Sequence, residues 1–148
     1  MDVTVIIRDT KGNVTFDVMD EYDDVSEHFK VWEFLVNKKD AIDLAIIDMY
    51  TVKVLEGLRI MTDCPIEITS TGRTPKYNLA EKGSIDSIHR FFIGVIDFIV
   101  HGAFNVGLQK RIKAYTVAMG FTGIGVYDNA KGMQMHIDRG YRDNLTEW

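Results

Sequence analysis

The amino-acid sequence predicts an α+β fold, in which a small central antiparallel sheet is flanked by helices and preceded by an extra N-terminal β-hairpin. Three patterns predict this class. The chain begins with β-branched runs around a turn, two later stretches carry apolar residues at three- and four-residue steps, and the last third returns to short strand-like runs. A chain of 148 residues suffices for one such domain with a sizeable core, but not for two.

The N-terminal residues predict the hairpin. Residues 4–8 and 14–18 are rich in β-branched and apolar side chains, and the segment between them contains a glycine that suits a tight turn. Residues 19–25 are acidic and are predicted to be a connector. We therefore predict a division into residues 1–25, the hairpin with its connector, and residues 26–148, one globular unit.

A long helix is predicted from Asp40 to about Met61. Asp40 is a suitable N-cap, and apolar side chains then recur at helical spacing. They stand at positions 41, 44, 45, 52, 55 and 58. A second apolar row at 42, 46 and 49 predicts a helix that is buried on more than one side.

The second half of the chain predicts strands around one further helix. The predicted elements are strands at 66–69 and 95–100, a helix at 108–119, and strands at 123–127 and 133–137 around a turn. Gly120 follows the helix in the position of a C-cap. Residues 70–86 are polar and predict a long loop, which inside a compact domain is usually functional or disordered.

Composition and charge restrict the class of function. The net charge is −5 and the chain lacks a clustered basic footprint, which argues against a nucleic-acid partner. No apolar run approaches the ~20 residues of a membrane span, and no signal peptide is evident, so we expect a cytoplasmic protein until another factor releases it. Cys64 is the only cysteine, which excludes an internal disulfide. The sequence leaves the oligomeric state open, although an unpaired strand edge at the N-terminus could extend a sheet across a dimer.

Three side chains form a candidate metal site: His89, Asp97 and His136. Asp97 stands inside the apolar run 95–100, where burial of an uncompensated carboxylate would cost several kcal/mol. A catalytic zinc ion takes three protein ligands from His, Asp and Glu and leaves the fourth position to water. The spacing alone leaves the alternative that backbone donors satisfy Asp97 and that both histidines are ordinary.

Four motifs stand in a fixed order along residues 28–148. They are His28-Phe-Lys-Val-Trp-Glu-Phe34, then Pro65-Ile-Glu-Ile-Thr-Ser-Thr-Gly-Arg73-Thr-Pro-Lys-Tyr77-Asn78, then Ser87-x-His89 with Gly94 and Asp97, and finally Gly120-Phe-Thr-Gly-Ile-Gly-Val-Tyr127 with His136-Ile-Asp138 and Trp148. Together they resemble the VanY-like zinc peptidases, the family of D-alanyl-D-alanine carboxypeptidases and phage endolysins that shares its metal-site fold with hedgehog. The closest resemblance is to the subfamily that ends in a His-x-Asp motif.

The resemblance implies zinc as the cofactor, with His89, Asp97 and His136 as its ligands. It also implies that Arg73 holds a substrate carboxylate or polarises the scissile carbonyl, since a guanidinium suits either task. The alternative for Arg73 is a strand-end arginine that pairs with a nearby carboxylate. Asp97 stands eight positions after His89, where the family has seven.

The remaining site residues also follow from the resemblance. Asp138 is the candidate catalytic base, or else it orients the neighbouring histidine. Many relatives carry an acidic base where this chain has Met133. Ser87, Tyr77 and Asn78 make up the predicted substrate-binding set, although Ser87 fits a plain turn equally well.

The function that the resemblance implies is hydrolysis of peptidoglycan stem-peptide or cross-link bonds, in the setting of a phage or prophage endolysin. Two alternatives stay open at this point. One is a non-catalytic binding or virion protein with the peptidase fold, which the two motif departures favour. The other is a cytoplasmic dipeptidase that acts on free D-Ala-D-Ala.

Overall fold

The computed structural model describes residues 1–36, 43–71, 93–140 and 142–148, and its mixture of sheets and helices confirms the α+β class. The described strands are β1 (Asp2–Arg8), β2 (Val14–Asp20), β3 (Leu44–Asp48), β4 (Ile66–Ser70), β5 (Val95–His101), β6 (Gly123–Asn129), β7 (Gly132–Asp138) and β8 (Thr146–Glu147). The helices are α1 (Met49–Thr62) and α2 (Val106–Ala118), with a short 3-10 helix at Val31–Phe34. Within these ranges, no helix has the length and apolar character needed to cross a membrane.

The strands form two sheets. In the three-stranded sheet the order is β2-β1-β3, with β1 antiparallel to β2 and parallel to β3. In the five-stranded sheet the order is β4-β5-β7-β6-β8, and every pairing is antiparallel except that of β6 with β8. The predicted hairpin is confirmed as β1 and β2. Its Val3 and Val5 belong to the same hydrophobic cluster as Leu55 of α1 and Phe98 of β5. The division at residue 25 stays a prediction.

The helix predicted from Asp40 is wrong in its first part. Leu44–Asp48 is the strand β3, and α1 begins only at Met49. Asp40 itself lies outside the described residues. The run Leu-Ala-Ile-Ile pairs in parallel with β1 and is buried from Ala45 onward, as is typical of a parallel strand that is covered on both faces. The apolar spacing that suggested one long helix therefore belongs to two successive elements.

The other predicted strands and helices are confirmed within about two residues at their ends. The long loop predicted at 70–86 lies, from residue 72 onward, outside the described residues. The helix α2 is capped by Asn105, whose side-chain oxygen accepts a hydrogen bond from Leu108 N at 3.0 Å. At its other end, Gly120 has a φ of 90°, a left-handed conformation that glycine adopts without strain. Tyr50 at the start of α1 donates a hydrogen bond to Met119 O at 2.6 Å, which ties the two helices together.

The five-stranded sheet has an apolar face and a more polar face, because successive side chains of a strand point in opposite directions. The apolar face contributes to the core that also contains Leu58 and Ile112. Its buried members are Ile66, Ile68, Ile96, Phe98, Val100, Ile124, Met133, Met135 and Ile137. The opposite face carries the candidate ligands Asp97 and His136 on neighbouring strands.

Candidate metal centre on the polar sheet face

Asp97 and His136 lie directly opposite each other on β5 and β7. Their side chains meet, with 2.8 Å between Asp97 Oδ1 and His136 Nδ1. The Asp97 side chain is 21% exposed and that of His136 is 9% exposed, so the carboxylate is less deeply buried than its apolar neighbours suggest. The fold thus brings together two of the three predicted zinc ligands.

The second nitrogen of His136 is held by Asp138. Two positions apart on β7, both side chains point to the same face, and His136 Nε2 lies 2.7 Å from Asp138 Oδ2. Asp138 is fully buried. Arg142 Nε donates to both of its oxygens, at 3.1 and 3.2 Å. This arrangement suits a residue that orients His136.

The charge balance of this network favours an added positive charge on His136. Burial lowers the pKa of His136, but hydrogen bonds and charge attraction from Asp138 and Asp97 outweigh it and raise the pKa to about 9. Burial also acts to raise the pKa of Asp138, yet His136 and Arg142 hold that pKa below its usual value. Because it lies between two carboxylates, the His136 ring therefore keeps both of its nitrogen-bound protons at neutral pH in the absence of a metal.

Two glycines of β6 make room for this network. Gly123 faces Asp138, and a Cβ at Gly123 would lie 2.1 Å from Asp138 Oδ2. Gly125 faces His136, and the space above it is occupied by the indole of Trp148. A side chain at either position would displace a member of the site, which explains the Gly-Ile-Gly sequence.

The C-terminal residues close the network on one side. Trp148 N donates to Ile124 O at 2.9 Å, and its indole donates to the hydroxyl of Tyr127. The Trp148 ring centroid lies 5.1 Å from that of His136. The guanidinium carbon of Arg142 lies 4.9 Å from the centroid of the Trp148 ring. Trp148 and Arg142 thus pack on the His136–Asp138 pair.

An open cleft of about 330 Å³ lies beside the Asp97–His136 pair and is also lined by Tyr127 and Gln134. Sequence reasoning assigned no role to Gln134, Arg142 or the Tyr127 hydroxyl. Strand alternation was the available signal for Gln134, which lies two positions before His136 and opposite Tyr127.

The other predicted site residues lie outside the described residues. These are Arg73, Tyr77, Asn78, Ser87 and His89. Among the ranges that the structure does describe, no group of three or more His, Cys, Asp or Glu side chains could hold a metal ion. Asp97 and His136 are donors of the types that zinc accepts, and Asp138 is placed to orient His136, so these residues fit a zinc site only if a third ligand comes from elsewhere.

A second charged cluster was not predicted from the sequence. Asp48, which is buried at the end of β3, accepts hydrogen bonds from Arg8 Nε at 3.0 Å, Thr51 Oγ1 at 2.6 Å and Arg139 at 3.4 Å. Burial raises the pKa of the Asp48 carboxyl, but the bonds from Arg8 and Thr51 outweigh it and hold the pKa below its usual value. The Arg139 guanidinium also lies over the Tyr50 ring, 4.0 Å from its centroid.

Comparisons of the chain with protein-family models, with curated proteins and with solved structures found no match. The resemblance to VanY-like peptidases therefore rests on the sequence motifs, and membership of that family stays a prediction.

Proposed function

We propose that this protein is a zinc-dependent peptidase that hydrolyses stem-peptide or cross-link bonds of peptidoglycan, in the setting of a phage or prophage endolysin. The observation that best supports it is the pairing of Asp97 Oδ1 with His136 Nδ1 at 2.8 Å beside an open cleft. The substrate class follows from the motif resemblance.

The contacts of His136 support its role as a ligand. A zinc-bound histidine usually donates its other ring N–H to a carboxylate, which fixes the ring and makes it a better ligand. Asp138 Oδ2 is placed to accept that hydrogen bond, 2.7 Å from Nε2. Binding of zinc at Nδ1 requires His136 to release the proton of that nitrogen, while Nε2 keeps its own proton and donates it in the hydrogen bond to Asp138. In this proposal Asp138 is a positioning residue.

His89 would supply the third ligand, and a water molecule would take the fourth position. Zinc, when bound, lowers the pKa of such a water to ~7 and polarises the scissile carbonyl. Arg73 would hold a substrate carboxylate or the developing oxyanion. Gln134 and Tyr127 line the cleft and offer an amide and a hydroxyl to the backbone of a bound peptide.

A specific observation favours a second candidate, a non-catalytic protein with the peptidase fold. Both ring nitrogens of His136 face carboxylates, and Arg142 completes the hydrogen-bonded chain. With His136 protonated, this network balances its own charge and needs no metal. Such a protein would bind a peptide in the cleft without cleaving it.

The deciding experiment is the metal content of the purified protein, measured by elemental analysis before and after incubation with zinc. We compare the wild type with His136→Ala and Asp97→Asn. The matched control is His101→Ala. His101 lies on β5, as Asp97 does, and like His136 it contacts a carboxylate, that of Glu67 at 2.8 Å, but it is not a predicted ligand. The peptidase proposal predicts about one zinc per chain in the wild type and the control, and loss of zinc in both site variants.

Activity assays then separate the remaining alternatives. Release of peptides from purified peptidoglycan by the zinc-loaded wild type, and not by His136→Ala, supports the peptidase. Cleavage of free D-Ala-D-Ala without action on peptidoglycan would instead indicate the dipeptidase. Absence of zinc in every sample, even after its addition, would rule out the zinc mechanism and favour the non-catalytic protein.

A further inference from the structure

The outer strand β2 exposes an apolar row. Val14, Phe16 and Val18 point to one face of the three-stranded sheet and are 47%, 75% and 62% exposed. Among the described strands, β2 pairs with β1 alone, so its other edge is open. An exposed strand edge with apolar side chains is a template for pairing with another strand.

The hydrogen-bond pattern shows which backbone groups point outward. Just beyond the two ends of the β1–β2 ladder, Asp9 N donates to Asn13 O and Glu21 N donates to Met1 O. The opposing residues Asp9 and Asn13, and likewise Met1 and Glu21, are therefore hydrogen-bonded pairs. Such pairs alternate along an antiparallel ladder, and the odd-numbered residues of β2 therefore bond to β1. The N–H and C=O of Phe16 therefore point away from β1.

We propose that β2 pairs with β2 of a second copy of this chain, antiparallel and with the two-fold axis at Phe16. In that register Phe16 faces Phe16, and Val14 faces Val18 of the second copy. All three belong to the outward-pointing set, so the backbone bonds of the two strands match. The two three-stranded sheets then join into one sheet of six strands.

Hydrogen-bond complementarity between side chains favours a second copy in this register. Thr15 lies opposite Asp17 of the second copy, and a hydroxyl donor then meets a carboxylate twice across the axis. A register centred on Asp17 would instead place two carboxylates face to face, which is unfavourable. In the single chain the Asp17 carboxylate accepts from Val18 N at 2.8 Å. In the dimer the Asp17 carboxylate turns to accept a hydrogen bond from the Thr15 hydroxyl of the second copy. The Val18 N–H is then free to bond to the opposing strand.

The first test is disulfide cross-linking in a Cys64→Ser background, which removes the only native cysteine. Phe16→Cys places two thiols across the axis with Cα atoms ~5.5 Å apart, within the range of a disulfide. Val14→Cys and Val18→Cys are matched controls, because neither residue faces itself. The proposal predicts a cross-linked dimer for Phe16→Cys alone, and a mixed disulfide when the two control variants are combined. Equal cross-linking of all three single variants, or of none, would overturn it.

The second test is sedimentation of the full chain over a range of concentrations. The wild type should form a concentration-dependent dimer, and Phe16→Asp should remain monomeric because it places two carboxylates at the axis. Ile60→Asp is the control, since Ile60 on α1 is equally exposed at 76% and lies outside the proposed interface. A wild type that is monomeric at every concentration, or a dimer that survives Phe16→Asp, contradicts the proposal.

Discussion

Two buried charged clusters among the described residues, one around Asp48 and one around His136, differ in how their charges are balanced. Asp48 is one carboxylate that receives two guanidinium groups and a hydroxyl, so the chain itself satisfies it. His136 is one imidazole between two carboxylates, of which one also receives Arg142. The second cluster is balanced only when a proton or a metal ion is added. A complete cluster is typical of a structural role, whereas an incomplete one beside a cleft is typical of a binding site.

The largest expected effect is the loss of the complete cluster. Asp48→Ala would leave two partly buried guanidinium groups without their carboxylate and should lower the free energy of unfolding by about 3–5 kcal/mol. Urea denaturation measures it. Asp24→Ala is the control, since that side chain is 72% exposed in its pair with Lys30 and should cost less than about 1 kcal/mol. Equal effects of the two substitutions would contradict the structural role of Asp48.

The incomplete cluster should show a pH dependence in the metal-free protein. The pKa of His136 is raised from 6.5 to about 9, so its contribution is fully present below pH 6.5 and is lost as the pH rises through about 9. The loss should be on the order of 3 kcal/mol, because one pKa unit corresponds to ~1.4 kcal/mol. Denaturation curves across this interval measure it.

Two comparisons sharpen the pH prediction. His136→Ala should remove the dependence, and saturating zinc should abolish it in the wild type because the metal takes the place of the titrating proton. The pH dependence that Asp48 contributes has the opposite sign. Because its pKa is lowered in the folded state, Asp48 stabilises the fold above about pH 4, and this stability is lost as the pH falls through the folded-state pKa. A wild-type curve that is flat between pH 6.5 and 9 would contradict the charge balance assigned to His136.

Removal of the orienting carboxylate should weaken metal binding without removing a ligand. Asp138→Asn keeps the shape of the side chain but loses the charge that holds Nε2–H, so zinc affinity should fall by about 10- to 100-fold. Competition with a chromogenic chelator measures the affinity. Asp128→Asn, on the neighbouring strand β6, is the control and should leave it unchanged. An unchanged affinity in Asp138→Asn would show that Asp138 does not act through His136.

The smallest expected effect lies at the C-terminal cover of the site. Tyr127→Phe removes the hydroxyl that accepts the hydrogen bond from the Trp148 indole, at a net cost of about 1 kcal/mol or less. Tryptophan fluorescence should report greater exposure of Trp148, with zinc affinity nearly unchanged. A large loss of zinc affinity would mean that Trp148 positions His136 more firmly than its ring contact indicates.

The sequence predicted what depends on local pattern. The hairpin of β1 and β2, the strands β4 to β7 and the helix α2 follow from alternation, helical spacing and Gly120. The sequence also predicted Asp97 and His136 as ligands of one metal ion; the structure places the two side chains in direct contact, and their role as ligands stays a prediction.

What the sequence did not predict depends on contacts between distant residues. The strand β3 exists because it pairs with β1, and its apolar run is compatible with a helix until that partner is known. Asp48 ends an apolar run as Asp97 interrupts one, yet its partners Arg8 and Arg139 lie 40 and 91 positions away. The contact of Arg142 with Asp138 spans only four positions, but strand alternation does not indicate it because Arg142 lies beyond the end of β7.

The most direct test of the zinc site is the protonation state of His136, observed through the nitrogen-15 signals of its ring at neutral pH. The zinc-site proposal predicts that one equivalent of zinc removes the Nδ1 proton and shifts that nitrogen to the metal-bound range, while Nε2 keeps its proton against Asp138. A ring that stays protonated on both nitrogens in the presence of excess zinc would contradict the proposal.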